Sequence, residues 1–301
     1  METVLITGGS GLIGQALSKL LIENEYAVRH LSRSVNGDEK YPTFKWNLNN
    51  QELDTKALAG VDHIIHLAGE NVGDGRWTTE RKKRILSSRI DTLSLLQKHL
   101  QNKQLKSFIS ASGISYYGTK TTANIFNEND PKGTDFLADI SVQWEKKAFE
   151  MESFSNRVVA LRTGVVLSNS GGALEKLIKP IKMGIGSALG SGKQYMPWIH
   201  INDLCAIYLR ALQNTNLSGS YNAVSSQHTT NLEMTQAVAK ALGKKLWAPK
   251  VPAFMLKLLF GEMAQIILEG SRIDNSKLKA TGFTFEFDDL ETTLTALLKQ
   301  A

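Results

Sequence analysis

The fold of this chain is decided by the stretch Val4-Leu5-Ile6-Thr7-Gly8-Gly9-Ser10-Gly11-Leu12-Ile13-Gly14. An apolar run comes first, glycines follow in a G-x-x-G-x-x-G spacing, and the amphipathic segment Gln15 to Glu23 comes next. This pattern predicts a β-strand, a glycine-rich turn and an α-helix. Glycines at such a turn let backbone N–H groups approach a pyrophosphate, and the helix N-terminus contributes a partial positive charge. An ordinary tight turn is the alternative, but a strand on one side and a helix on the other favour dinucleotide binding.

The second predicted strand, Ala27 to Arg33, ends where a dinucleotide-binding fold places the residue that contacts the adenosine ribose. An acidic residue at this point would bond the ribose 2′-hydroxyl and repel a 2′-phosphate. This chain carries Ser32 and Arg33 instead. We therefore expect NADP as the cofactor, with a surface arginine that has no ligand as the alternative.

A further predicted strand, Val61 to Gly69, ends on small residues that leave room for a flat cofactor. The predicted cofactor-lining residues here are Leu67, Ala68 and Gly69, and the predicted substrate contacts are Glu70 and Asn71. His63 and His66 also lie on this strand. Because residues three apart on a strand point to opposite faces, we expect no metal site from this pair.

Hydroxyl-bearing side chains cluster where the strand Ser107 to Ser112 runs into Tyr116 and Tyr117. The carboxyl end of a parallel strand lies beside the nicotinamide in such folds, so hydroxyls there are placed for proton transfer or for holding a carbonyl. We therefore predict Ser112, Tyr116 and Tyr117 as catalytic residues and Ser110 as a cofactor contact. A serine-rich strand end with tyrosines that pack on a loop is the alternative.

The second half of the chain adds two candidate polar residues and a glycine-rich segment. Arg162 interrupts the apolar strand Val158 to Leu167, so it either pairs with a carboxylate or faces the cofactor cleft. The segment Ser168 to Gly192 is expected to leave the sheet and cap the pocket. Within Trp198 to Leu204, His200 is either a substrate contact or a structural histidine.

The composition fits a soluble protein with a sizeable core, since 42% of the 301 residues are hydrophobic and the net charge is +6. The basic cluster Arg81-Lys82-Lys83-Arg84 indicates a solvated helix face, with an anion site or a nucleic-acid contact as alternatives. The single cysteine, Cys205, excludes an internal disulfide and a zinc framework. With no leader and no apolar run of about 18 residues or more, we expect a cytoplasmic protein with neither a membrane nor a nucleic-acid partner.

An apolar segment begins at Pro252 and extends to Leu268. Lys257 and Glu262 exclude a membrane span, which leaves a buried helix or the surface of a homodimer, and we expect a monomer or a homodimer. Its large side chains are predicted to be buried rather than left in water: Phe254, Met255, Leu258, Leu259, Phe260, Ile266, Ile267 and Leu268.

Four motifs together resemble the extended short-chain dehydrogenase/reductase superfamily, and more narrowly its atypical, epimerase-like branch (the NAD-dependent epimerase/dehydratase superfamily). They are Thr7 to Gly14, His66 to Asn71, Ser110 to Ser112 with Tyr116 to Gly118, and Trp198 to Leu204. The stretch from Val251 to Phe285 is similar to the short C-terminal module of that branch, whose function is unknown. Together these stretches cover nearly the full length.

The resemblance implies an α/β protein with a Rossmann-type, doubly wound parallel sheet and a smaller C-terminal substrate lobe. Residues 1–170 and 193–228 would form the NADP-binding domain, and residues 171–192 and 229–301 the substrate lobe. The resemblance also implies that the three turn glycines hold the pyrophosphate, that Arg33 holds the 2′-phosphate, and that Ser112 is the active-site hydroxyl. The expected cofactor contacts are Thr7, Gly8, Gly11, Leu12, Ile13, Gly14, Ser32, Arg33, Leu67, Ala68, Gly69 and Ser110.

One departure from the superfamily concerns the chemistry. Redox members carry Tyr-x-x-x-Lys on the next helix, where the lysine lowers the pKa of the tyrosine so that it works as a general acid/base near neutrality. The corresponding helix here, Asp135 to Lys147, is expected to hold Phe136 and Ile140 at those places, and neither transfers a proton. Two functions stay open: an NADP(H)-dependent oxidoreductase or epimerase acting on a small carbonyl or sugar-like substrate, and a non-catalytic NADP(H)-binding regulatory or sensor protein.

Overall fold

Eight strands form one mostly parallel sheet with helices on both faces, in a computed structural model that describes residues 1–101 and 103–299. The strands of the described chain are β1 Thr3–Thr7, β2 Ala27–Ser32, β3 Thr43–Asn47, β4 Glu52–Leu53, β5 His63–His66, β6 Ser107–Gly113, β7 Ile125–Phe126, β8 Val158–Thr163, β9 Val165–Leu167, β10 Trp198–His200, β11 Gly219–Ala223 and β12 Arg272–Ile273. The helices are α1 Leu12–Glu23, α2 Thr79–His99, α3 Phe136–Phe149, α4 Ala173–Lys182, α5 Ile201–Gln213, α6 Asn231–Ala241, α7 Ala253–Phe260, α8 Gln265–Leu268, α9 Ser276–Ala280 and α10 Leu290–Lys299.

The strand order in the large sheet is β11-β8-β6-β5-β1-β2-β3-β4, and each neighbouring pair is parallel except β3 and β4. The chain moves from β1 outward to β2 and β3, and later returns to β5 on the other side of β1. A crevice therefore opens at the carboxyl ends of β1 and β5, where the winding direction reverses. The predicted doubly wound α/β sheet is confirmed.

The central strand β1 is apolar on both faces because helices cover both faces of the sheet. Val4 and Ile6 pack with α1 and α5 on one side. Leu5 packs with α2 and α3 on the other side. None of the three has any exposed surface. The unbroken apolar run of β1 is thus the pattern of a strand in the middle of a covered parallel sheet.

A separate core lies outside the large sheet and is built around Trp198, which has no exposed surface. It takes its apolar side chains from α4, α6 and α10, among them Leu174, Met234 and Leu294. Within residues 193–228, β11 joins the large sheet and α5 packs against it. The division of the chain into a cofactor domain and a substrate lobe stays a prediction. The C-terminal segment also returns to the large core, because Phe283 packs there.

The helix α7 departs from the sequence prediction. Of its eight residues only Leu256 is buried, whereas Phe254, Met255, Leu258 and Leu259 are exposed. The expected burial of these four side chains within the chain is therefore wrong, and the alternative of a homodimer surface stays a prediction. The structure around α7 is held instead by the following turn, where the buried Met263 joins a core formed with α2 and α3. Phe260, Ile266 and Ile267 are partly buried there.

Replacing Leu294 by Ala should lower the free energy of unfolding by about 2–5 kcal/mol, because it removes a fully buried side chain and leaves a cavity in the core around Trp198. Leu258→Ala is the matched control. Its side chain is 73% exposed, so the loss should stay within about 0.5 kcal/mol. Urea denaturation of both variants measures the difference, and equal losses would contradict the described packing of α10.

Candidate cofactor and substrate site

The glycine-rich turn between β1 and α1 packs so closely against its neighbours that side chains are excluded at two of its glycines. Gly8 has φ +70°, and a Cβ at Gly8 would lie 3.0 Å from the backbone nitrogen of Ala68. A Cβ at Gly14 would lie 2.6 Å from the Gly8 carbonyl oxygen. Gly11 precedes α1 without a side-chain cap, so the first N–H groups of the helix are not satisfied by a capping side chain. This arrangement fits a pyrophosphate.

Thr7 holds this turn in place and does not face the groove. Its buried hydroxyl lies 2.7 Å from Nδ1 of His66 and accepts a hydrogen bond from the N–H of Ala68 at 3.2 Å. The predicted cofactor contact by Thr7 is therefore corrected for its side chain. His63 instead contacts Ser107, so the two histidines lie in separate environments, as expected. No group of three or more potential metal-ligating side chains occurs among the described residues.

The other predicted cofactor contacts divide into accessible and inaccessible residues. Ser32 is half-buried at the end of β2, and Arg33 is exposed and makes no ion pair or hydrogen bond to any described residue. The accessible or half-buried members of the turn and of the β5 end are Gly11, Leu12, Ile13, Leu67, Ala68 and Gly69. Ser110 has no exposed surface, and its hydroxyl donates to the carbonyl of Ala111 at 2.9 Å. The prediction of Ser110 as a cofactor contact is corrected on that ground.

The structure places a buried arginine, Arg89, beside the groove, and the sequence analysis did not predict it. Arg89 on α2 lies beneath Gly69, where a Cβ would be 3.1 Å from its Cζ. Nη1 donates to the carbonyl of Glu70 at 3.1 Å, and the guanidinium stacks 4.7 Å from the centre of the Trp144 ring. Burial lowers the pKa of Arg89 to about 10, so it stays charged at neutrality. Within the described chain it has no carboxylate partner. The only sign of this role in the sequence is a positively charged residue at a position of α2 whose neighbours on the same face are buried.

The loop after β5 is attached to α2 by part of the basic cluster. Arg81 forms a salt bridge of 2.7 Å with Glu70 and donates to the carbonyl of Asn71. Lys82 pairs with Glu262 of the C-terminal segment. These two basic residues therefore neutralise acidic partners within the protein. The carboxylate of Glu70 positions the loop, which corrects its predicted role as a substrate contact, while the side chain of Asn71 stays exposed.

Three neighbouring strands bring a polar network to the carboxyl end of β6. Ser112, Arg162 and Asn222 occupy adjacent positions in the sheet register. Arg162 donates from Nε and Nη2 to the two carboxylate oxygens of Glu145, at 2.8 Å each, and Ser112 donates to the same carboxylate at 2.7 Å. Each of these residues is at least 95% buried. Arg162 was predicted either to pair with a carboxylate or to face the cofactor cleft, and the structure shows the pairing with a carboxylate.

Tyr117 belongs to this network and is not available to a substrate. Its hydroxyl accepts a hydrogen bond from Nη1 of Arg162 and donates to Oδ1 of Asn222, both at 2.8 Å. Burial raises the pKa of Tyr117 to about 12. The predicted catalytic roles of Tyr117 and Ser112 are both corrected, because their hydroxyls are committed to buried partners.

Tyr116 is the predicted catalytic residue that remains accessible. It is half-buried, and its hydroxyl has no hydrogen bond within the part of the chain that the structure describes. The Cζ of Arg162 lies 3.4 Å from the centre of its ring, a cation–π contact that fixes the ring. Nearby, the hydroxyls of Ser115 and Ser141 lie 2.8 Å apart. These two serines were not predicted.

The contact of Ser141 with Ser115 shows which face of α3 lies against the end of β6. Phe136 and Ile140 pack with Trp77 and α2 in an apolar cluster. Ser141, one residue later than Ile140, is the α3 side chain that contacts Ser115. Positions 136 and 140 were expected to face the reaction site. In the structure, the residue that does so is Ser141, one position after Ile140. Ser141 also cannot replace a lysine, since it carries no charge.

His200 is structural. Its Nδ1 accepts the N–H of Asn202 at 3.1 Å and so caps α5, and its ring stacks on Phe287 at 3.8 Å. Burial lowers the pKa of His200 to about 4. The predicted substrate contact by His200 is corrected, because the side chain is 4% exposed and its acceptor nitrogen is engaged.

The segment after β9 approaches the start of α1, and its predicted role as a cap over the pocket stays a prediction. A Cβ at Gly172 would lie 3.1 Å from Cδ2 of Leu12. At the start of α4, Nζ of Lys176 lies 3.0 Å from a carboxylate oxygen of Asp74 in the loop after β5. The groove is thus bounded by three segments: the glycine-rich turn, the loop after β5 and the start of α4.

Comparison with known proteins agrees with this geometry. Residues 4–224 match the NAD dependent epimerase/dehydratase family. The chain belongs to this family. Residues 251–297 match a domain of unknown function, DUF1731. The resemblance found in the sequence, including its C-terminal module, is confirmed.

Relatives of similar length extend the likeness over the whole chain. The epimerase family protein SDR39U1 of Mus musculus is 35% identical over 297 residues, which are 97% of this chain and 98% of that protein. The chloroplastic SDR39U1 homolog of Arabidopsis thaliana is 34% identical, with 99% of this chain and 87% of that protein covered. A crystal structure of human SDR39U1 (isoform 2) with NADPH matches with a TM-score of 0.89 and 31% identity, covering 99% of this chain and 100% of the other. No described helix is long and apolar enough to cross a membrane.

Acidification from about pH 6.5 to about pH 4 should destabilise the protein through its buried histidines. In the folded state burial lowers the pKa of His200 to about 4 and of His66 to about 3, so both stay neutral while the unfolded chain takes up protons. The free energy of unfolding is therefore unaffected by these groups above their ordinary pKa and decreases below it.

His200→Asn retains an acceptor that caps a helix and removes the titration. Its free energy of unfolding should fall less steeply with pH than that of the wild type, by at most about 3 kcal/mol over the interval. Urea denaturation at a series of pH values measures both slopes, and carboxylate titration cancels in the comparison. Parallel slopes would show that His200 does not contribute.

Proposed function

We propose that this protein binds NADP(H) and acts as an oxidoreductase or epimerase on a small carbonyl or sugar-like substrate. The observation that carries the proposal is the glycine-rich turn. The lack of a side chain at Gly8 and Gly14 lets β1, the end of β5 and the start of α1 approach closely, which leaves the backbone N–H groups of the turn and the helix N-terminus for a pyrophosphate. The likeness to the human SDR39U1 structure with NADPH supports the same cofactor. When bound, NADP(H) supplies or accepts a hydride.

Two cations on opposite sides of the crevice are proposed to hold the anionic cofactor. Arg33, exposed at the end of β2, would pair with the 2′-phosphate. Arg89, beneath Gly69, would face a further anionic or polar part of the cofactor. A buried guanidinium without an ion-pair partner among the described residues is energetically costly, so an anionic ligand would offset that cost.

On the substrate side, the proposed chemistry centres on Tyr116. Its hydroxyl would donate a hydrogen bond or proton to the substrate oxygen, while Arg162, fixed by Glu145, holds the ring in place. The half-buried Ser115, whose hydroxyl contacts that of the buried Ser141, supplies a further hydroxyl for orienting the substrate. Asn71 stays a proposed substrate contact. A monomer or homodimer and a cytoplasmic location likewise stay predictions.

The second candidate function is a non-catalytic NADP(H) sensor. It is favoured by the absence of a Tyr-x-x-x-Lys pair on α3 and by the buried partners of Ser112 and Tyr117. Cofactor occupancy would then act on the start of α4, where Gly172 contacts Leu12. Tight cofactor binding without turnover of any substrate would support this function over catalysis.

Arg33→Ala should weaken NADPH binding about ten- to a hundredfold and leave NADH binding nearly unchanged, because it removes a charge-assisted bond to the 2′-phosphate. Lys19→Ala is the matched control, since it removes an exposed charge on α1 at a side chain that is 72% exposed. Titration by nucleotide fluorescence gives all the dissociation constants. Equal affinities of the wild type for NADPH and NADH would refute the assignment of Arg33.

Tyr116→Phe should lower turnover of any carbonyl substrate about a hundredfold or more without changing the affinity for NADPH, because the variant lacks only the hydroxyl. Tyr117→Phe is the contrasting variant. It leaves Nη1 of Arg162 and Oδ1 of Asn222 without their hydrogen-bond partner, so it should lose about 1–3 kcal/mol of stability.

A panel of aldehydes, ketones, quinones and sugar nucleotides, assayed with NADPH, measures the turnover. Denaturant unfolding of the same proteins measures stability. Full activity in Tyr116→Phe would remove Tyr116 from the chemistry while leaving the cofactor proposal intact.

A further inference from the structure

Exposed large apolar side chains lie on α7 and on the segments beside it. Trp247, Phe254 and Leu258 are 74%, 69% and 73% exposed. The segment that carries them is hydrogen-bonded to the end of the glycine-rich segment, since the N–H of Val251 donates to the carbonyl of Ala188 at 3.0 Å. The exposed large apolar residues of these two adjoining segments are Met183, Ile185, Trp247, Phe254, Met255, Leu258 and Leu259.

The charged residues of these two segments are all positive. No Asp or Glu occurs between Lys176 and Lys193 or between Gly243 and Gly261. The exposed lysines of the two segments are Lys182, Lys193, Lys244, Lys245, Lys250 and Lys257. These lysines and the seven apolar side chains are called the apolar-basic face below. Large apolar patches of this kind mark interaction sites.

We infer that the apolar-basic face binds the surface of an anionic lipid bilayer. Its aromatic and aliphatic side chains stand out from the protein and would enter the headgroup region, while the lysines contact anionic lipid headgroups. Lysine suits this role because its long apolar stem lies along the hydrocarbon boundary while its ammonium group stays in water. The protein would then lie on the membrane without crossing it.

The same charges argue against a protein on this face. A symmetric contact with a second copy would set the lysines of one copy against those of the other, which is unfavourable. Lysine is also depleted in protein–protein interfaces, where arginine is enriched, and this face carries lysines. The expectation of no membrane partner considered only a membrane span, and the exposed side of α7 was visible only in the tertiary structure.

Co-sedimentation with lipid vesicles tests the inference. The full chain should bind vesicles of phosphatidylcholine mixed with phosphatidylserine, bind phosphatidylcholine alone much more weakly, and dissociate as salt is raised. The double variant Phe254→Ser, Leu258→Ser should lose binding. The triple variant Lys244→Gln, Lys245→Gln, Lys257→Gln should bind about a hundredfold more weakly, since each lysine contributes about a fivefold factor.

Trp247 provides a second readout. It is the only exposed one of the five tryptophans, so the emission of the wild type should shift to shorter wavelength on mixed vesicles. The shift should vanish in Trp247→Phe. The matched control for the binding assay is Lys19→Gln with Ile22→Ser on α1, which removes one exposed charge and one exposed apolar residue elsewhere and should bind like the wild type.

Three results would overturn the inference: no binding of the wild type to mixed vesicles, equal binding by the face variants, or a lipid-free dimer that Phe254→Ser, Leu258→Ser dissociates. The last result would assign the face to a second copy. All substitutions are at exposed positions, and none is at a residue proposed to contact NADPH, so NADPH affinity should be unchanged in each variant and reports that the fold is intact.

Discussion

The close approach of Gly8 to Ala68 is the constraint on which the rest of the structure depends. It brings the carboxyl ends of β1 and β5 so near that a Cβ at Gly8 would lie 3.0 Å from the Ala68 nitrogen. The hydroxyl of Thr7 fixes this distance by contacting both His66 and the Ala68 N–H. The start of α1 is thereby aimed at the crevice where the winding of the sheet reverses, and the loop after β5 and the start of α4 close over the same point.

A buried ion pair governs the other end of the crevice. Arg162 and Glu145 satisfy each other with two hydrogen bonds in the sheet–α3 interface, and removing one partner of such a pair commonly costs about 3–5 kcal/mol. The pair also takes up the hydroxyls of Ser112 and Tyr117. Because this pair engages the hydroxyls of Ser112 and Tyr117, Tyr116 is the one of the three predicted catalytic residues whose hydroxyl stays accessible.

The C-terminal module combines two opposite requirements. Its buried residues complete cores that the rest of the chain cannot fill, as Met263 does between α2 and α3 and Leu294 does around Trp198. Its helix α7 nevertheless leaves most of its apolar side chains in contact with solvent. The proposed membrane contact gives a role to this exposed side, whereas the buried side stabilises the fold.

The sequence by itself determined the backbone plan and the cofactor end of the groove. Glycine spacing, apolar runs and the basic end of the second strand are local signals, because they depend on backbone freedom and on the periodicity of burial. The sequence could not determine which hydroxyls were free. Ser112 and Glu145 are 33 residues apart, and Tyr117 and Asn222 are 105 apart, so only the folded sheet brings them into contact. The same holds for His200 on Phe287, for Arg89 beneath Gly69 and for the exposed side of α7. A side chain acquires its hydrogen-bond partners and its burial from long-range packing, which no local pattern specifies.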